Sequence, residues 1–569
     1  MKSSRAFLAF LPFILLVSAS HRMPAQVPFN LNPSWVSIDL PDYSTGAAWA
    51  DINRDGWLDL VISNGNDMDR EKVVVYFNDG TGRLPETPGW QSQDIDFHGH
   101  LSIADVNHDG YPDIAVSVYL GAAGFAQRGY VKLYMNHNGV PEQLPSWRSA
   151  DSIYTFSCAF GDADGDGWPD LAVAAGESYN HKQEYSRIYY NHSGTLDALP
   201  GWKSAATGYS MDVTWADVDK DNRLDLIFAC ENMPNVMYHN YGDSIGTVPS
   251  WRSTDASKTA NTLFVADVDN DGYLDLAISD NNQLGGSGRF KLYMNHGGTF
   301  ETTPSWQSSF NGYGSGINLV DVDNNGYRDI VTGGWWQPCR IYLNSNGTFH
   351  ADPDWTSTTG SVVEAIVFGD MDADGVKSFT DHFTAPAAGR VFTLSRTPAH
   401  DIQQVSIDGV ALDAQSWCAD LENGWISIAP PLQQGASVDV RYSASQDLDM
   451  AISNWDNDIG NYLFINTNMP TSTNRGPGSK TGFIVHPASP NPFSKSTGIS
   501  FDLDSPEHVT VTLYNEAGRV LRSWSPSTAF AAGRNSIPID TTGLPAGAIF
   551  CRVQHANGGG TVRLMKLSD

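Results

Sequence analysis

Basic charge is what this chain has least of: 34 Lys and Arg stand against 64 Asp and Glu, for a formal net charge of −30. Nucleic-acid readers concentrate Lys and Arg in a patch or stripe. No such footprint exists here, so nucleic acid is excluded as a partner. Cysteine is also scarce. Cys158, Cys230, Cys339, Cys418 and Cys551 are too widely spaced to form a disulfide framework; they read as buried small hydrophobes with at most an incidental disulfide. Long apolar runs are absent after the first twenty residues, so the mature chain is expected to have no transmembrane segment. The one run, Ala6 to Val17, follows Lys2 and Arg5 and precedes Ser18-Ala19-Ser20. That order reads as a secretory signal peptide over residues 1–20 and not as a membrane span. Catalytic signatures are missing too. No H-E-x-x-H occurs. Gly242-Asp-Ser244-Ile-Gly246 matches G-x-S-x-G, but that nucleophile elbow needs a strand-to-helix turn. Here it lies in the loop before Pro249-Ser-Trp251, and is a chance match.

What is present is an acidic loop, D-x-[DN]-x-[DN]-[GN]-x-x-D, seven times. The copies begin at Asp51, Asp105, Asp162, Asp217, Asp267, Asp321 and Asp370, at spacings of 54, 57, 55, 50, 54 and 49 residues. Alternating carboxylates on a tight turn bring hard oxygen ligands round one centre, and calcium accepts six to eight of them. An EF-hand needs a bidentate Glu at position twelve and flanking helices. Here position twelve is apolar (Ile62, Val116, Val173, Ile278) and strand-like segments follow. Up to seven structural Ca²⁺ are therefore expected. The ligand set is Asp51, Asn53, Asp55 and Asp59; Asp105, Asn107, Asp109 and Asp113; Asp162, Asp164, Asp166 and Asp170; Asp217, Asp219, Asp221 and Asp225; Asp267, Asp269, Asp271 and Asp275; Asp321, Asp323, Asn325 and Asp329; and Asp370, Asp372, Asp374 and Asp449. Aspartates in these loops make up 25 of the 64 acidic residues, so the acidity is concentrated in the cages. Without metal those carboxylates repel at close range, and folding is expected to depend on calcium.

Two further signals repeat in phase. P-x-W-x-S precedes each loop, at Trp35, Trp90, Trp147, Trp202, Trp251, Trp306 and Trp355. A short alternating strand ending Tyr-x-Asn follows it, at Tyr76/Asn78, Tyr134/Asn136, Tyr189/Asn191, Tyr238/Asn240, Tyr293/Asn295 and Tyr342/Asn344, with Phe464/Asn466 in the seventh. Four short antiparallel strands per repeat predict one propeller blade, and the count predicts an all-β, seven-bladed β-propeller over residues 28–467. The tryptophans are expected to pack between blades. The first Trp unit precedes any acidic loop and the last Phe-x-Asn strand has no Trp unit after it. The N-terminal strand should therefore complete the seventh blade and leave no open edge.

The seventh copy is interrupted. Asp370, Asp372, Asp374 and Gly375 are separated from Leu448-Asp449 by residues 376–446, within which Val391–Ser395, Val405–Ile407, Trp425–Ile428 and Val438–Tyr442 read as strands. This predicts a small β-sandwich inserted in the metal loop, with the two ends adjacent so that Asp449 still closes the cage.

D-x-D-x-D-G-x-x-D-L repeats on such a ring resemble the FG-GAP/VCBS repeats of integrin α-subunit propellers and their bacterial relatives. The resemblance implies calcium loops on one face and partners mainly on the other. Asn53, Asn107, Asn325 and Asn222 depart from the motif; Asn still offers an oxygen and tolerates left-handed backbone, so those sites are expected to be weakened and not lost. After a linker at 468–481, Pro490-Asn491-Pro492-Phe493, the strands Ile499–Leu503 and Val509–Tyr514, Gly533, Leu544-Pro-Ala-Gly547 and the terminal Val562-Arg-Leu-Met-Lys resemble the type A C-terminal sorting domain of the type IX secretion system over residues 482–569. Gly547-Ala-Ile-Phe550 replaces the usual G-x-Y. A hook-capping Ig-like domain shares the P-N-P-F opening. The resemblance implies an Ig-like β-sandwich, type IX export machinery as a partner, and secretion or attachment at the outer-membrane surface of a Gram-negative bacterium.

For function three classes stay open: a binding or adhesion module for a glycan or extracellular protein, which is preferred; a polysaccharide-active lyase or hydrolase at the channel mouth; and a structural spacer. Enzymatic activity is left uncertain and is not favoured. His98 and His100, in Phe-His-Gly-His, are placed in the loop before the inner strand, where two histidines two apart can bind a metal or move protons. Tyr119, Tyr179, His181, Tyr185, Trp335, Trp336 and Trp455 lie in variable segments between the second and third strands, expected opposite the calcium loops, where aromatic rings stack on sugars or anchor a protein.

Overall fold

The computed structural model describes residues 27–467, apart from 39–40, 81, 256–258, 284 and 430–431, and the strands with adjoining residues of a C-terminal unit between 484 and 566. The expected signal peptide, the linker and Pro490–Phe493 lie outside the described residues. Contacts divide the chain into two compact units, Met1–Pro470 and Thr471–Asp569.

Outside residues 377–444, the described residues of the first unit form seven four-stranded antiparallel sheets in chain order. In the first, Ser44–Ala50, Asp59–Asn64, Val73–Tyr76 and Trp90–Gln91 pair as successive neighbours. The same order recurs from Phe97–Ala104, Thr155–Gly161, Ser210–Ala216, Ala260–Ala266 and Gly314–Val320. The seventh sheet consists of Val363–Gly369, Asp449–Asn454, Tyr462–Phe464 and, from the start of the chain, Trp35–Val36. There Trp35 pairs with Leu463 and Val36 with Tyr462. Each innermost strand packs beside the next, and Val363–Gly369 lies against Ser44–Ala50, so the order of contacts returns to its start.

The core is partitioned accordingly. One apolar cluster fills each gap between neighbouring sheets; that between the first and second joins Ile52, Val61, Val75 and Trp90 to Ile114, Val116 and Tyr134. A single repeat buries its apolar face only against its neighbours, as stacked units must. The repeating Trp stands edge-on to the Tyr of the following sheet: Trp35 on Tyr76 at 5.4 Å, Trp90 on Tyr134 at 5.9 Å, Trp202 on Tyr238 at 5.2 Å and Trp355 on Phe464 at 5.8 Å. This edge-to-face geometry places the positive ring edge on the negative face.

Residues 377–444 form two more sheets over a common core of Phe392, Ile426, Val438, Val440 and Tyr442. Lys377–Thr384, Val410–Ala411 and Trp417–Asp420 are strands that the sequence reading omits. Lys377–Thr384 alternates exposed and half-buried residues along its length, so it has no strong apolar signature. Lys377 pairs with Ala444, which brings the two crossings together. The C-terminal unit contains a three-stranded and a four-stranded sheet around Ile499, Phe501, Val511, Leu513 and Ile549. Among the described residues there is no α-helix, and no helix is long and apolar enough to cross a membrane. All five cysteines are buried and free.

Candidate functional site

Each acidic loop joins the first and second strands of its sheet. In the first loop Asp51 accepts the N–H groups of Asp55 (3.0 Å) and Gly56 (2.9 Å), Asn53 accepts that of Asp55 (2.9 Å), and Asp55 that of Trp57 (3.0 Å). The backbone turns left-handed at position four, at Arg54, His108, Gly165, Lys220, Asn270, Asn324 and Ala373. It does so again at position six in six loops, at Gly56, Gly110, Gly167, Asn222, Gly272 and Gly326. Gly and Asn carry that conformation at low cost.

The position-nine aspartate ties the loop down. Asp59 accepts Ile52 N–H on one oxygen (3.0 Å) and Asn78 N–H on the other (2.8 Å). Asp449 does the same for Met371 (2.9 Å) and Asn466 (2.8 Å), across the insertion. The Tyr-x-Asn side chain then links neighbouring sheets. Asn295 Nδ2 donates to Leu274 O of its own loop (3.1 Å) and to Val218 O of the preceding one (2.9 Å).

Asp162/Asp164/Asp166, Asp267/Asp269/Asp271, Asp321/Asp323/Asp329 and Asp370/Asp372/Asp374 each place carboxylate oxygens within 4.8 Å of one another, and Asp219, Asp221 and His239 do so with two oxygens and a ring nitrogen. His239 is a member the sequence reading omits; its Nδ1 lies 3.0 Å from Asp225 and 3.5 Å from Asp219. In the first two loops Asn53 and Asn107 each donate to the position-five Asp, at 3.0 and 3.1 Å. A divalent cation fits these cages on two counts. Asp267 Oδ1, Asp323 Oδ2 and Asp370 Oδ1 are buried with no hydrogen-bond partner among the described residues. Burial, with the neighbouring carboxylates adding to it, pushes Asp162, Asp217 and Asp372 up to about 7. Asp447, which the sequence reading does not include, joins the seventh cage, raised to about 9 by burial and by Asp374.

Segments after the second strand lie at the other end of the sheets, away from these loops. There the structure gathers Trp335, Trp336 and Trp455 with two tyrosines. Trp335 stacks on Tyr313 (6.1 Å) and on Trp455 (5.8 Å), Trp336 stands edge-on to Trp335 (6.2 Å), and Tyr43 lies 6.0 Å from Trp455. Trp336 is 58% exposed. Tyr119 and Tyr179 meet Phe125 at 6.2 and 6.4 Å in a second group. Tyr119 is buried and its hydroxyl has no partner among the described residues, while Tyr179 donates to Gln283 Oε1 (2.5 Å). His181 and Tyr185 are exposed and belong to neither group.

The two histidines correct the sequence expectation: they lie in the strand Phe97–Ala104 and not in a loop before it. Pairing slips at Phe97/His98 and again at His98/Leu101, and such bulges re-aim side chains. His98 is fully buried with Nδ1 2.7 Å from Asn64 O, a structural role. His100 points inward, with Nδ1 3.5 Å from Asp212 Oδ1. A Cβ on Gly99 would meet Phe156 O at 2.0 Å, so glycine alone permits this approach of the second and third sheets.

Inside the ring of inner strands lies a cavity of about 490 Å³ lined by His100, Asp212, Asn318 and Glu364 and, from the insertion, by Asp420 and Glu422. The insertion sits on the acidic-loop end. Ser427 Oγ donates to Asp162 Oδ2 (2.7 Å), Arg390 to Gly165 O (2.8 Å), Asn222 Nδ2 to Val391 O (2.7 Å) and Asn324 Nδ2 to Gln446 O (2.8 Å). His400 Nε2 lies 3.2 Å from Gly56 O. Val391, Cys418 and Trp425 join the apolar cluster between the third and fourth sheets. Of the acidic residues lining the cavity, Asp51 and Asp105 belong to the seven-fold motif; no periodic signal marks Asp212, Glu364, Asp420 or Glu422.

The FG-GAP-like repeat model matches residues 51–116, 164–228, 217–278 and 321–378, and the FG-GAP repeat model matches 99–134. The secretion system C-terminal sorting domain matches 489–566. The chain carries FG-GAP repeats and a sorting domain. The repeats are similar to those of integrin alpha-5 from Xenopus laevis, 32% identical over 156 residues, covering 23% of this chain and 14% of the relative. Integrin alpha-6 from Gallus gallus is 30% identical over 144 residues, covering 22% and 13%. The chain thus spans about one seventh of the length of these curated relatives. Among solved structures, Saccharomyces cerevisiae Sqt1 aligns over 77% of this chain and 100% of its own at a TM-score of 0.41 and 11% identity.

Proposed function

We propose that this protein is an exported, calcium-stabilised seven-bladed β-propeller that binds a glycan or an extracellular protein through the end of its ring opposite the calcium loops. The seven sheets are its blades over residues 28–467, residues 376–446 are an inserted β-sandwich, and 482–569 form an Ig-like sorting domain. A type IX-like machinery exports it, to the outer-membrane surface of a Gram-negative bacterium or beyond, after removal of residues 1–20. Bound Ca²⁺ would be held by the loop residues at positions one, three and five, with position nine closing the cage. It would neutralise carboxylates that otherwise repel one another.

The observation that supports ligand binding is the aromatic cluster of Trp335, Trp336, Trp455 and Tyr313, with Trp336 more than half exposed. Large rings with open faces, set on a rigid scaffold, are what sugar rings and protein anchors pack against. The test is a screen of the full chain, calcium-loaded, against glycans, polysaccharides and extracellular proteins. Retention that is lost in Trp336→Ala, without product formation, is the expected result. Released oligosaccharide establishes the enzyme reading instead; no retention across the screen leaves the spacer.

A further inference from the structure

The channel cavity has a chemistry of its own, and touches the aromatic end through Glu364, which accepts Trp335 Nε1–H at 2.8 Å. Its volume, about 490 Å³, falls in the ~300–1,000 Å³ range of small-molecule pockets. Its apolar wall comes from residues such as Ala47, Leu101, Val213, Phe264 and Trp417. Seven acidic residues line the cavity: Asp51, Asp105, Asp212 and Glu364 from the ring, and Asp401, Asp420 and Glu422 from the insertion. Among the described lining residues Arg54 is the only Lys or Arg, and it is already engaged by Asp401 (3.2 Å) and Gly110 O (2.5 Å).

The polar groups set into the cavity are mainly acceptors, partly supplied by neutral donors: Asp212 accepts Ser157 Oγ–H (2.6 Å) and Leu263 N–H (3.0 Å), and Glu364 accepts Ser315 Oγ–H (2.6 Å) and Trp335 Nε1–H (2.8 Å). His100 has Nδ1 beside Asp212, and its Nε2 is buried with no partner among the described residues. A proton on Nδ1, facing the carboxylate, leaves Nε2 with a lone pair directed away from it. Glu422 has no closer partner among the described residues than Asn318 Nδ2 at 3.5 Å. Buried carboxylates without a counter-charge are costly. Burial raises Glu364 to about 7 and Glu422 to about 8, so partial protonation near neutral pH offsets some of that cost.

We propose that this cavity binds a small aliphatic ammonium compound, held between Asp212 and Glu364 of the ring and Glu422 of the insertion, with its hydrocarbon body on the apolar walls. A bare metal ion does not suit the site, because among the described residues Asp212, Glu364 and Glu422 belong to no group of three or more whose ligand atoms lie within 4.8 Å of one another. An extended cation with N–H donors at separated points does. The entrance is a vestibule sharing Asp51, Arg54, His400, Asp401, Ile402 and Gln403 with the cavity. The half-exposed Arg54–Asp401 pair spans it.

The test is isothermal titration of the calcium-loaded full chain with 1,4-diaminobutane, with sorbitol as the neutral polyol. The expected result is a saturable one-to-one heat for the diamine and none for sorbitol. Glu422→Gln and Glu364→Gln should each weaken diamine binding at least tenfold. If Glu364→Gln lowers the unfolding midpoint, Glu422→Gln on the insertion still decides. No saturable diamine heat, equal affinity in Glu422→Gln, which would report surface binding only, or tighter binding of sorbitol would each overturn the proposal.

Discussion

Asn78 Nδ2 donates to the backbone oxygen of Met371 at 2.7 Å, joining residues 293 positions apart. The same amide reaches Leu58 O at 3.2 Å, and its Oδ1 accepts Gly80 N–H at 3.1 Å. One side chain thereby fixes an acidic loop, the turn after the third strand and the loop of the neighbouring sheet. Asn136 to Ile52, Asn191 to Val106, Asn240 to Ala163, Asn295 to Val218 and Asn344 to Val268 repeat the bond at 2.7–3.0 Å. Asn78 is the copy that joins the first sheet to the seventh.

Replacing one of these clamps should be costly because it leaves two buried carbonyls without a donor. Asn295→Ala is expected to lower stability by about 2–4 kcal/mol, read as a reduced urea midpoint at unchanged m-value. Serine, too short to reach both carbonyls, should recover little. A change below ~1 kcal/mol would show that the bond is incidental.

Tryptophans of the two kinds should separate cleanly. Trp251 is buried, 5.9 Å from Tyr293 and 5.4 Å from Phe300, and Trp251→Ala is expected to cost about 3–5 kcal/mol. Trp336→Ala removes a mostly exposed ring and should change stability by no more than ~0.5 kcal/mol while reducing ligand retention. Thermal unfolding of both variants beside the retention assay checks the pair.

Three repeating signals made the scaffold legible: Trp, acidic loop and Tyr-x-Asn, in fixed phase. Their meaning is now physical, since the Trp meets the next Tyr and the Asn spans two loops. What lay outside the period was harder to read. Glu364, Asp212 and His100 stand at or beside inner-strand irregularities, between Val363 and Ile366, at Ser210/Asp212 and between His98 and Leu101, and a bulge has no spacing that announces it. Lys377–Thr384 escaped because only its cross-strand pairing with Ser437–Ala444 makes it a strand. The position of the insertion over the channel depends on contacts such as Ser427 to Asp162, 265 residues apart.

Buried acids away from the cages predict a pH slope. Burial pushes Glu231 and Glu364 up to about 7, above the ~4.3 of an unfolded Glu. Across that interval the native chain holds more protons than the unfolded one, so stability falls as pH rises from about 4 through 7. Urea unfolding at saturating calcium between pH 5 and 8 should show this decline, and Glu364→Gln should flatten it. An identical slope in the variant would remove Glu364 from the account.

The central claim is that the acidic loops are a calcium-set scaffold, and scanning calorimetry of the full chain with calcium and with chelator tests it most directly. Each site filled at a hundredfold excess over its dissociation constant adds ~2.7 kcal/mol, and several sites act on one ring. Chelation is therefore predicted to lower the main transition by more than ~10 °C, with full recovery on calcium return. A midpoint that stays the same with and without calcium would contradict it.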